Sequence, residues 1–173
     1  MIIVNSRFLT QKITGVQRFA IEISLRLKAI MKDDIFFVAP HDIIQNEIAN
    51  KLEVKVIGKH TGHLWEQWDL TKFLKKNGSP LLLNLCNMAP LMYTNKISTI
   101  HDIAFVRYPQ TFSKKFLWFY KIMIPRIIKS SIKVITVSEF SKQEIVDEYN
   151  IDPNMVGVIY NAVNEIFRPK IIC

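Results

Sequence analysis

The sequence has few of the residues that mark disulfide-bonded, collagen-like or membrane-spanning chains. Its 173 residues include two cysteines, five glycines and seven prolines. Cys86 and Cys173 cannot make a disulfide framework, and neither has the Cys-x-x-Cys or Cys/His spacing of a metal site. No apolar run reaches the roughly 18 residues that a membrane-spanning helix needs. We therefore expect a reduced, cytoplasmic protein with an ordinary folded core and no bound metal.

Positive charge is in excess over the whole chain. Lysine and arginine number 23, aspartate and glutamate number 15, and the formal net charge is +8. Such a charge attracts phosphate-bearing partners, which include nucleotides, nucleic acids and anionic lipid headgroups. Nucleic acid is the weaker candidate, because the basic residues are spread over predicted helices and interleave with no aromatic nucleic-acid motif.

Short apolar segments alternate with amphipathic segments along the chain. Strands are predicted at residues 1–4, 35–39, 53–57, 80–85, 97–100, 132–137 and 156–160. Helices are predicted from residue 15 to about 30 and over residues 42–52, 64–76, 113–130 and 138–150. The pattern predicts a single α/β domain, residues 1–173, with a doubly wound, mostly parallel Rossmann-like sheet and helices on both faces.

The first strand–helix junction offers a place for an anion. Thr14, Gly15 and Val16 open the first predicted helix, where free backbone N–H groups and the helix dipole favour a phosphate. Gly15 would let the backbone come close to such a ligand, although one glycine before a helix is more often only a turn. A G-x-G-x-x-G sequence is absent, which disfavours a nicotinamide or flavin dinucleotide.

His101 and Asp102 follow the predicted strand over residues 97–100. Ligands of open α/β sheets bind beyond the carboxyl ends of the strands, which is where His101 lies. Adjacent strand residues point to opposite faces, so these two are not expected to form an acid–base dyad. Two interpretations stay open: His101 binds a substrate hydroxyl or phosphate, or its imidazole is hydrogen-bonded to the backbone.

Two other short stretches have both a binding and a structural interpretation. In residues 65–68, two tryptophans flank a glutamate and a glutamine; the rings could stack on a sugar or base, or pack in the core. Ser138 and Ser141 could contact a ligand at a helix start, although plain capping explains both hydroxyls.

The predicted helix over residues 113–130 has a basic face. At 100° per residue, one arc contains Trp118 together with Lys114, Lys115, Lys121, Arg126 and Lys129. Such a face is typical of helices that lie on anionic lipid surfaces. The alternative is a solvated charged face with Trp118 packed on a neighbour.

These motifs follow one another in a particular order over nearly the whole chain. They are Thr-Gly-Val-Gln-Arg at residues 14–18, Trp65-Glu66-Gln67, His101-Asp102 with Pro109 and Phe112, Val137-Ser138-Glu139-Phe140-Ser141, and residues 158–164 through Phe167-Arg168-Pro169. The series resembles the N-terminal half of retaining glycosyltransferases of family four. That group is typified by bacterial mannosyl-, rhamnosyl- and glucosyltransferases of surface polysaccharide assembly.

The resemblance implies a two-Rossmann-domain enzyme whose active site lies in the cleft between the domains. By position, His101 would be the catalytic residue, at the donor sugar, and the turn at Gly15 and Val16 would face the donor diphosphate. Ser138 and Asn161 would lie near the cleft floor on the donor-binding side. The acceptor side would be lined by Trp65, Glu66, Asp102 and Arg107.

The implied reaction is hexosyl transfer with retained anomeric configuration. The donor would be a nucleotide-diphosphate sugar, and the acceptor a lipid-linked oligosaccharide or a polysaccharide. No cofactor is expected to be held by the protein. A cytoplasmic location, with peripheral attachment to the inner face of a membrane as an option, would suit such an acceptor.

The sequence departs from the family after Asn161. In the family, a second domain with a basic residue for the phosphates and a Glu-x7-Glu pair follows this point, whereas this sequence stops at Cys173. We therefore expect an acceptor-side half whose donor half is a missing C-terminal domain or a partner chain, with little turnover alone. Two other classes stay open: a non-catalytic partner subunit or membrane adaptor, and a flavodoxin-like phosphate-binding module.

Overall fold

A parallel sheet of seven strands runs through the protein, whose computed structural model describes residues 1–162. The strand order is β3-β2-β1-β4-β5-β6-β7, and each neighbouring pair is parallel. The chain moves outward from β1 to β3 and then restarts at β4 on the other side of β1. The strands are β1 (Ile2–Asn5), β2 (Ile35–Ala39), β3 (Lys55–Val56), β4 (Leu81–Asn84), β5 (Lys96–Thr99), β6 (Lys133–Thr136) and β7 (Val156–Val158).

Helices lie between most successive strands, whereas a loop at residues 85–95 joins β4 to β5. A π-helical segment, Trp65–Leu70, joins α3 to α4 without a break, so the helix predicted over residues 64–76 contains a wider turn than expected. The helices are α1 (Gly15–Met31), α2 (Asn46–Lys51), α3 (Gly62–Leu64), α4 (Thr71–Lys76), α5 (Ala104–Arg107), α6 (Lys114–Lys129) and α7 (Glu139–Tyr149).

The helix predicted over residues 42–52 begins later than expected, at Asn46. The backbone N–H groups of Ile44 and Gln45 donate to the Leu9 carbonyl, at 3.0 and 3.1 Å, instead of starting the helix. This contact holds the segment against the short 3₁₀ turn Arg7–Thr10 that follows β1.

Adjacent β1 residues show that both faces of the sheet are covered. Val4 packs with Phe19 of α1 on one face, whereas Ile3 packs with Trp65 and Leu74 on the other. Val134 of β6 and Val156 of β7 pack in a third cluster with α6 and α7. The predicted α/β fold, a doubly wound parallel sheet with helices on both sides, is therefore confirmed.

The last predicted motif lies partly outside the described residues. Val163, Asn164, Phe167-Arg168-Pro169 and Cys173 all follow residue 162. Among the helices of residues 1–162, none combines the length and the hydropathy needed to cross a bilayer.

Candidate functional site

The strand order reverses between β1 and β4, and two buried asparagines mark this point. Asn5 and Asn84 end the two strands and are paired in register. The Asn5 side-chain amide donates to Asn84 Oδ1 at 3.0 Å and to Glu66 Oε1 at 2.6 Å. Ligands of open α/β sheets bind in the crevice outside the strand ends at such a switch point. The two asparagines therefore form a polar floor where a ligand is expected.

Glu66 connects this floor to two basic side chains. Its carboxylate is 1% exposed and lies 3.4 Å from Arg7 Nε and 3.4 Å from His63 Nδ1. Burial alone would raise the pKa of the Glu66 carboxyl, but the charge of Arg7 and the hydrogen bonds from His63 and Asn5 together hold that pKa below its usual value. Glu66 is therefore ionised at neutral pH. Sequence analysis selected Glu66 but missed Asn5, Arg7, His63 and Asn84.

Trp65 was expected on the acceptor side, and its position corrects that expectation. The ring is 0% exposed, and its Nε1 donates to the Ile57 carbonyl at 2.7 Å. A ring buried in the core has no surface with which to contact an acceptor. Trp68, three residues later, is 66% exposed. Within the π-helical segment, Trp65 therefore anchors the helix while its neighbour Glu66 reaches the switch point.

Three hydrogen bonds fix His101 just beyond the end of β5. Its backbone N–H donates to Asn87 Oδ1 at 2.9 Å, and its carbonyl accepts from Thr136 Oγ1 at 3.2 Å. The ring nitrogen Nε2 lies 3.1 Å from the Leu85 carbonyl oxygen. The hydrogen bond between the His101 imidazole and the backbone, which the structural interpretation expected, is therefore present.

The remaining ring nitrogen of His101 is available for a ligand. A carbonyl oxygen can only accept, so the contact with Leu85 assigns the ring proton to Nε2 and leaves Nδ1 as an acceptor. No residue among 1–162 is hydrogen-bonded to Nδ1. Burial lowers the pKa of His101, against smaller opposing effects of the Leu85 hydrogen bond and the Asp102 charge. A neutral imidazole in this tautomer can accept a hydrogen bond from a substrate hydroxyl at Nδ1.

The glycine turn lies close to His101. Phe19, one turn into α1, meets the imidazole edge-on with ring centroids 5.0 Å apart. At the helix start, Gln17 Oε1 accepts from the Thr14 N–H at 3.2 Å. A Cβ added to Gly15 would meet no atom of the described residues within 4 Å. The space in front of Gly15 is therefore open, and Val16 beside it is half-buried.

Asp102 and Arg107 lie together at a second place on the same edge of the sheet. Asp102 Oδ1 accepts the Ala104 N–H at 3.0 Å, and Arg107 Nε donates to Glu144 Oε1 of α7 at 2.8 Å. They line a groove of ≈ 340 Å³ that also shows the exposed rings of Tyr108 and Phe140. Aromatic faces beside carboxylates suit a sugar ring. Of the residues expected on the acceptor side, Asp102 and Arg107 line this groove, Glu66 lies at the switch point, and Trp65 lies in the core.

Comparison with known proteins decides the family. Residues 13–166 match Glycosyltransferase Family 4. The chain belongs to this family. It is 26% identical over 122 residues to the O-antigen chain mannosyltransferase RfbU of Salmonella typhimurium, which is 70% of this chain and 34% of the relative. The family-4 chain described here thus spans about a third of that relative's length.

Two solved structures share the fold of this family-4 chain. Anabaena Alr3699/HepE, in complex with UDP and glucose, superposes with a TM-score of 0.62 at 16% identity, over 94% of this chain and 44% of that one. A glycosyltransferase from Rickettsia africae gives a TM-score of 0.54 at 18% identity, over 94% and 43%. At these identities the likeness is one of fold.

The two residues expected near the cleft floor of a family-4 enzyme differ in their surroundings. Ser138 Oγ accepts the Ser141 N–H at 3.0 Å, so Ser138 acts as the N-cap of α7. Its hydroxyl also contacts that of Ser141 at 3.0 Å. Asn161 follows β7 and is exposed.

The basic face predicted on α6 is open to solvent. Lys114, Lys115 and Lys121 are exposed, and Trp118 is 69% exposed. A groove of ≈ 470 Å³ lies between Trp118, Phe119 and the first two lysines. Phe119 also contacts His63, with ring centroids 4.9 Å apart. The start of α6 therefore lies next to the charged residues of the switch point.

Proposed function

We propose that this family-4 chain is the acceptor-side half of a retaining hexosyltransferase. The enzyme would transfer a mannosyl, rhamnosyl or glucosyl group from a nucleotide-diphosphate sugar to a lipid-linked oligosaccharide or a polysaccharide. The observation that carries this proposal is the Nδ1 of His101, which has no partner among residues 1–162 and lies at the carboxyl edge of the sheet, where the ring contacts Phe19 one turn after Gly15.

In this proposal, His101 acts as a hydrogen-bond acceptor. Its neutral imidazole would accept a hydrogen bond from a hydroxyl group of the donor sugar. This bond would hold the sugar ring in position for transfer. The free N–H groups at the start of α1, with open space before Gly15, would face the donor diphosphate. Asp102 and Arg107 would contact the acceptor in their groove, together with the exposed rings there. Ser138 and Asn161 would border the donor.

The relatives support the choice of substrates. The Salmonella protein is named as a mannosyltransferase of the O-antigen chain, and the Anabaena structure contains UDP and glucose. Both point toward a nucleotide-sugar donor and a glycan acceptor for this chain. The sugar transferred here stays open among the three hexoses.

The other half of the active site would come from a second domain or a partner chain. Transfer requires stabilisation of the charge that develops on the leaving diphosphate. We propose that groups beyond this chain supply that stabilisation, because the chain covers only 34% of the Salmonella relative.

An activity assay of two proteins tests this proposal. One is the purified chain, and the other is the chain joined to whatever reading frame follows Cys173, or mixed with a co-purifying partner. Each is incubated with labelled UDP-, GDP- and dTDP-hexoses and a lipid-linked oligosaccharide extract. We expect label in the glycan only with the completed protein. Transfer by the purified chain alone would contradict the proposal that it holds only half of the active site. Absence of transfer by the completed protein would contradict the proposed hexosyl transfer.

We also propose peripheral attachment to an anionic membrane through α6. The exposed Trp118 among Lys114, Lys115 and Lys121 supports this location, because an indole inserts at the headgroup level while lysines attract anionic lipid. The same surface would serve a non-catalytic membrane adaptor. Sugar transfer by the completed protein separates the enzyme from the adaptor.

A further inference from the structure

Arg7 is a buried cation whose donor groups are largely unused. It begins the 3₁₀ turn after β1, two residues beyond Asn5, and its backbone N–H donates to Asn5 Oδ1 at 3.2 Å. Its side chain is 10% exposed. Glu66 lies 3.4 Å from the Arg7 Nε, which is an ion-pair contact, but that nitrogen is buried and makes no hydrogen bond to any of residues 1–162.

A guanidinium group has five N–H donors in a fixed planar fork. Buried polar groups normally find partners, since an unmade hydrogen bond there leaves a desolvation cost uncompensated. Within residues 1–162, the guanidinium of Arg7 has an ionic contact only with Glu66 and no hydrogen bond. A buried cation with unused donors at the β1–β4 switch point, where ligands of such sheets bind, indicates a partner that residues 1–162 do not supply.

The position of Arg7 shows what kind of partner fits. It lies at the β1–β4 switch point and influences both the Tyr120 phenol of α6 and the Cys86 thiol after β4. Burial raises the pKa of Cys86 to about 12, and the charge of Arg7 acts against that rise. Both side chains are therefore neutral at pH 7. Neither group adds negative charge that would repel an anionic ligand of Arg7.

We propose that Arg7, held in place by Glu66, binds a phosphate group of the substrate at the switch point. The planar fork matches the oxygens of a phosphate, and the excess positive charge of the chain favours the same ligand. The substrate role rests on the proposed function, in which two substrates carry a diphosphate. One is the nucleotide-sugar donor and the other is a lipid-diphosphate-linked acceptor.

Calorimetric titration of the purified chain with inorganic pyrophosphate tests this site. Arg7→Lys keeps the charge and so avoids leaving Glu66 unpaired, but it loses the fork. We expect pyrophosphate to bind this variant about tenfold more weakly or worse. Arg26→Lys is the matched control, because Arg26 is exposed and pairs with Glu22 on the outer face of α1. The control is expected to bind like the wild type.

A second variant guards against a folding defect. Arg7→Gln combined with Glu66→Gln removes both charges together, and its thermal unfolding is compared with that of the wild type. We expect a folded protein with no measurable pyrophosphate binding. Unchanged affinity in Arg7→Lys, or absence of binding by the wild type, would overturn the proposal.

Two further titrations identify the source of the phosphate. UDP represents the donor, and farnesyl diphosphate represents the lipid-linked acceptor. If the affinity for one of these two ligands depends on Arg7, the site belongs to the substrate that the ligand represents. If both affinities depend on Arg7, the site is shared by the two diphosphates. Dependence for neither contradicts a substrate role. Arg7-dependent binding without sugar transfer by the completed protein would contradict the proposed function but leave the phosphate site in place.

Discussion

His101 and Glu66 are buried at one edge of the sheet, but opposite effects set their charges. Burial dominates at His101 and lowers the pKa of its imidazole. At Glu66 the effect of burial is overcome by Arg7 and by hydrogen bonds, so the pKa of the carboxyl falls. One neutral acceptor and one anion therefore lie at the carboxyl edge of the same sheet. This combination suits hydroxyl recognition beside an anchored cation.

The lowered pKa of His101 predicts a pH dependence of stability. The unfolded chain binds this proton more readily than the folded one, so protonation favours unfolding as the pH falls below 6.5, the ordinary pKa of a histidine side chain. We expect the free energy of unfolding to decrease from pH 7.5 to 5.5 by on the order of 1 kcal/mol from this residue. Urea unfolding of the wild type and of His101→Asn measures it, and the variant is expected to lose less.

His41→Asn is the control for that measurement, since His41 is exposed on the loop after β2. It is expected to follow the wild-type pH dependence. If His101→Asn lost as much stability between the two pH values as the wild type, the neutral buried imidazole would be contradicted.

Sequence analysis selected some residues of the candidate site and missed others for a physical reason. His101 was predicted because it follows a strand directly, and Glu66 because of its unusual aromatic neighbours. Asn5 and Arg7 were missed since their partners are far away in sequence; Asn5 contacts Glu66 across 61 residues and Asn84 across 79. Such contacts follow from the strand order, which local patterns do not contain.

Helix starts are the elements that direct backbone donors toward the site. In a parallel α/β sheet, the helices run opposite to the strands, so their N-termini lie at the carboxyl edge. Ser138 caps α7 through a 3.0 Å contact with the Ser141 N–H, and Ser113 caps α6 through a longer 3.3 Å contact with the Phe116 N–H. These two serines form a matched pair for measuring how strongly each helix start is held.

Replacing the two caps by alanine is expected to have unequal effects. Ser138→Ala should lower the free energy of unfolding by about 1 kcal/mol, because its hydrogen bond is shorter and Ser141 is buried. Ser113→Ala should cost less, since its bond is long and exposed. Urea denaturation of both variants gives the comparison. A larger loss for Ser113→Ala would contradict this ranking.

Helical periodicity predicted the long elements well and the irregular ones poorly. The starts of α1, α6 and α7 were predicted from their caps or glycine turn, because those signals are local. The π-helical segment was not predicted, since its single wider turn hardly changes the spacing of apolar residues. The four-residue α5 was also missed, because it is too short to show a period.

At the scale of the whole molecule, the site and the basic face of α6 share one edge of the sheet. The alternation of strands and helices was enough to predict the doubly wound fold. It did not reveal that the order reverses between β1 and β4, and therefore did not locate the crevice. The exposed basic face of α6 was predicted from its arc, whereas the contact of Phe119, on another side of the helix, with His63 emerged only from the structure.

This shared edge predicts how the protein meets a membrane. Changing Lys114, Lys115 and Lys121 to glutamate should abolish co-sedimentation with vesicles that contain anionic lipid, because the surface beside Trp118 becomes acidic. The control changes Lys32, Lys51 and Lys76, which are exposed at the C-terminal ends of α1, α2 and α4 on the opposite edge. Equal binding by the two triple variants would contradict membrane attachment through α6.

The central claim is that the carboxyl edge of the sheet, with His101 at its middle, forms one wall of a sugar-transfer cleft. The most direct test compares hexosyl transfer by the completed protein with that of its His101→Ala and His41→Ala variants, after thermal unfolding shows that both are folded. We expect His101→Ala to lower kcat by about a hundredfold or more, as loss of a group that holds the reacting sugar would, and His41→Ala to have no effect. Wild-type transfer by a folded His101→Ala variant would contradict the account.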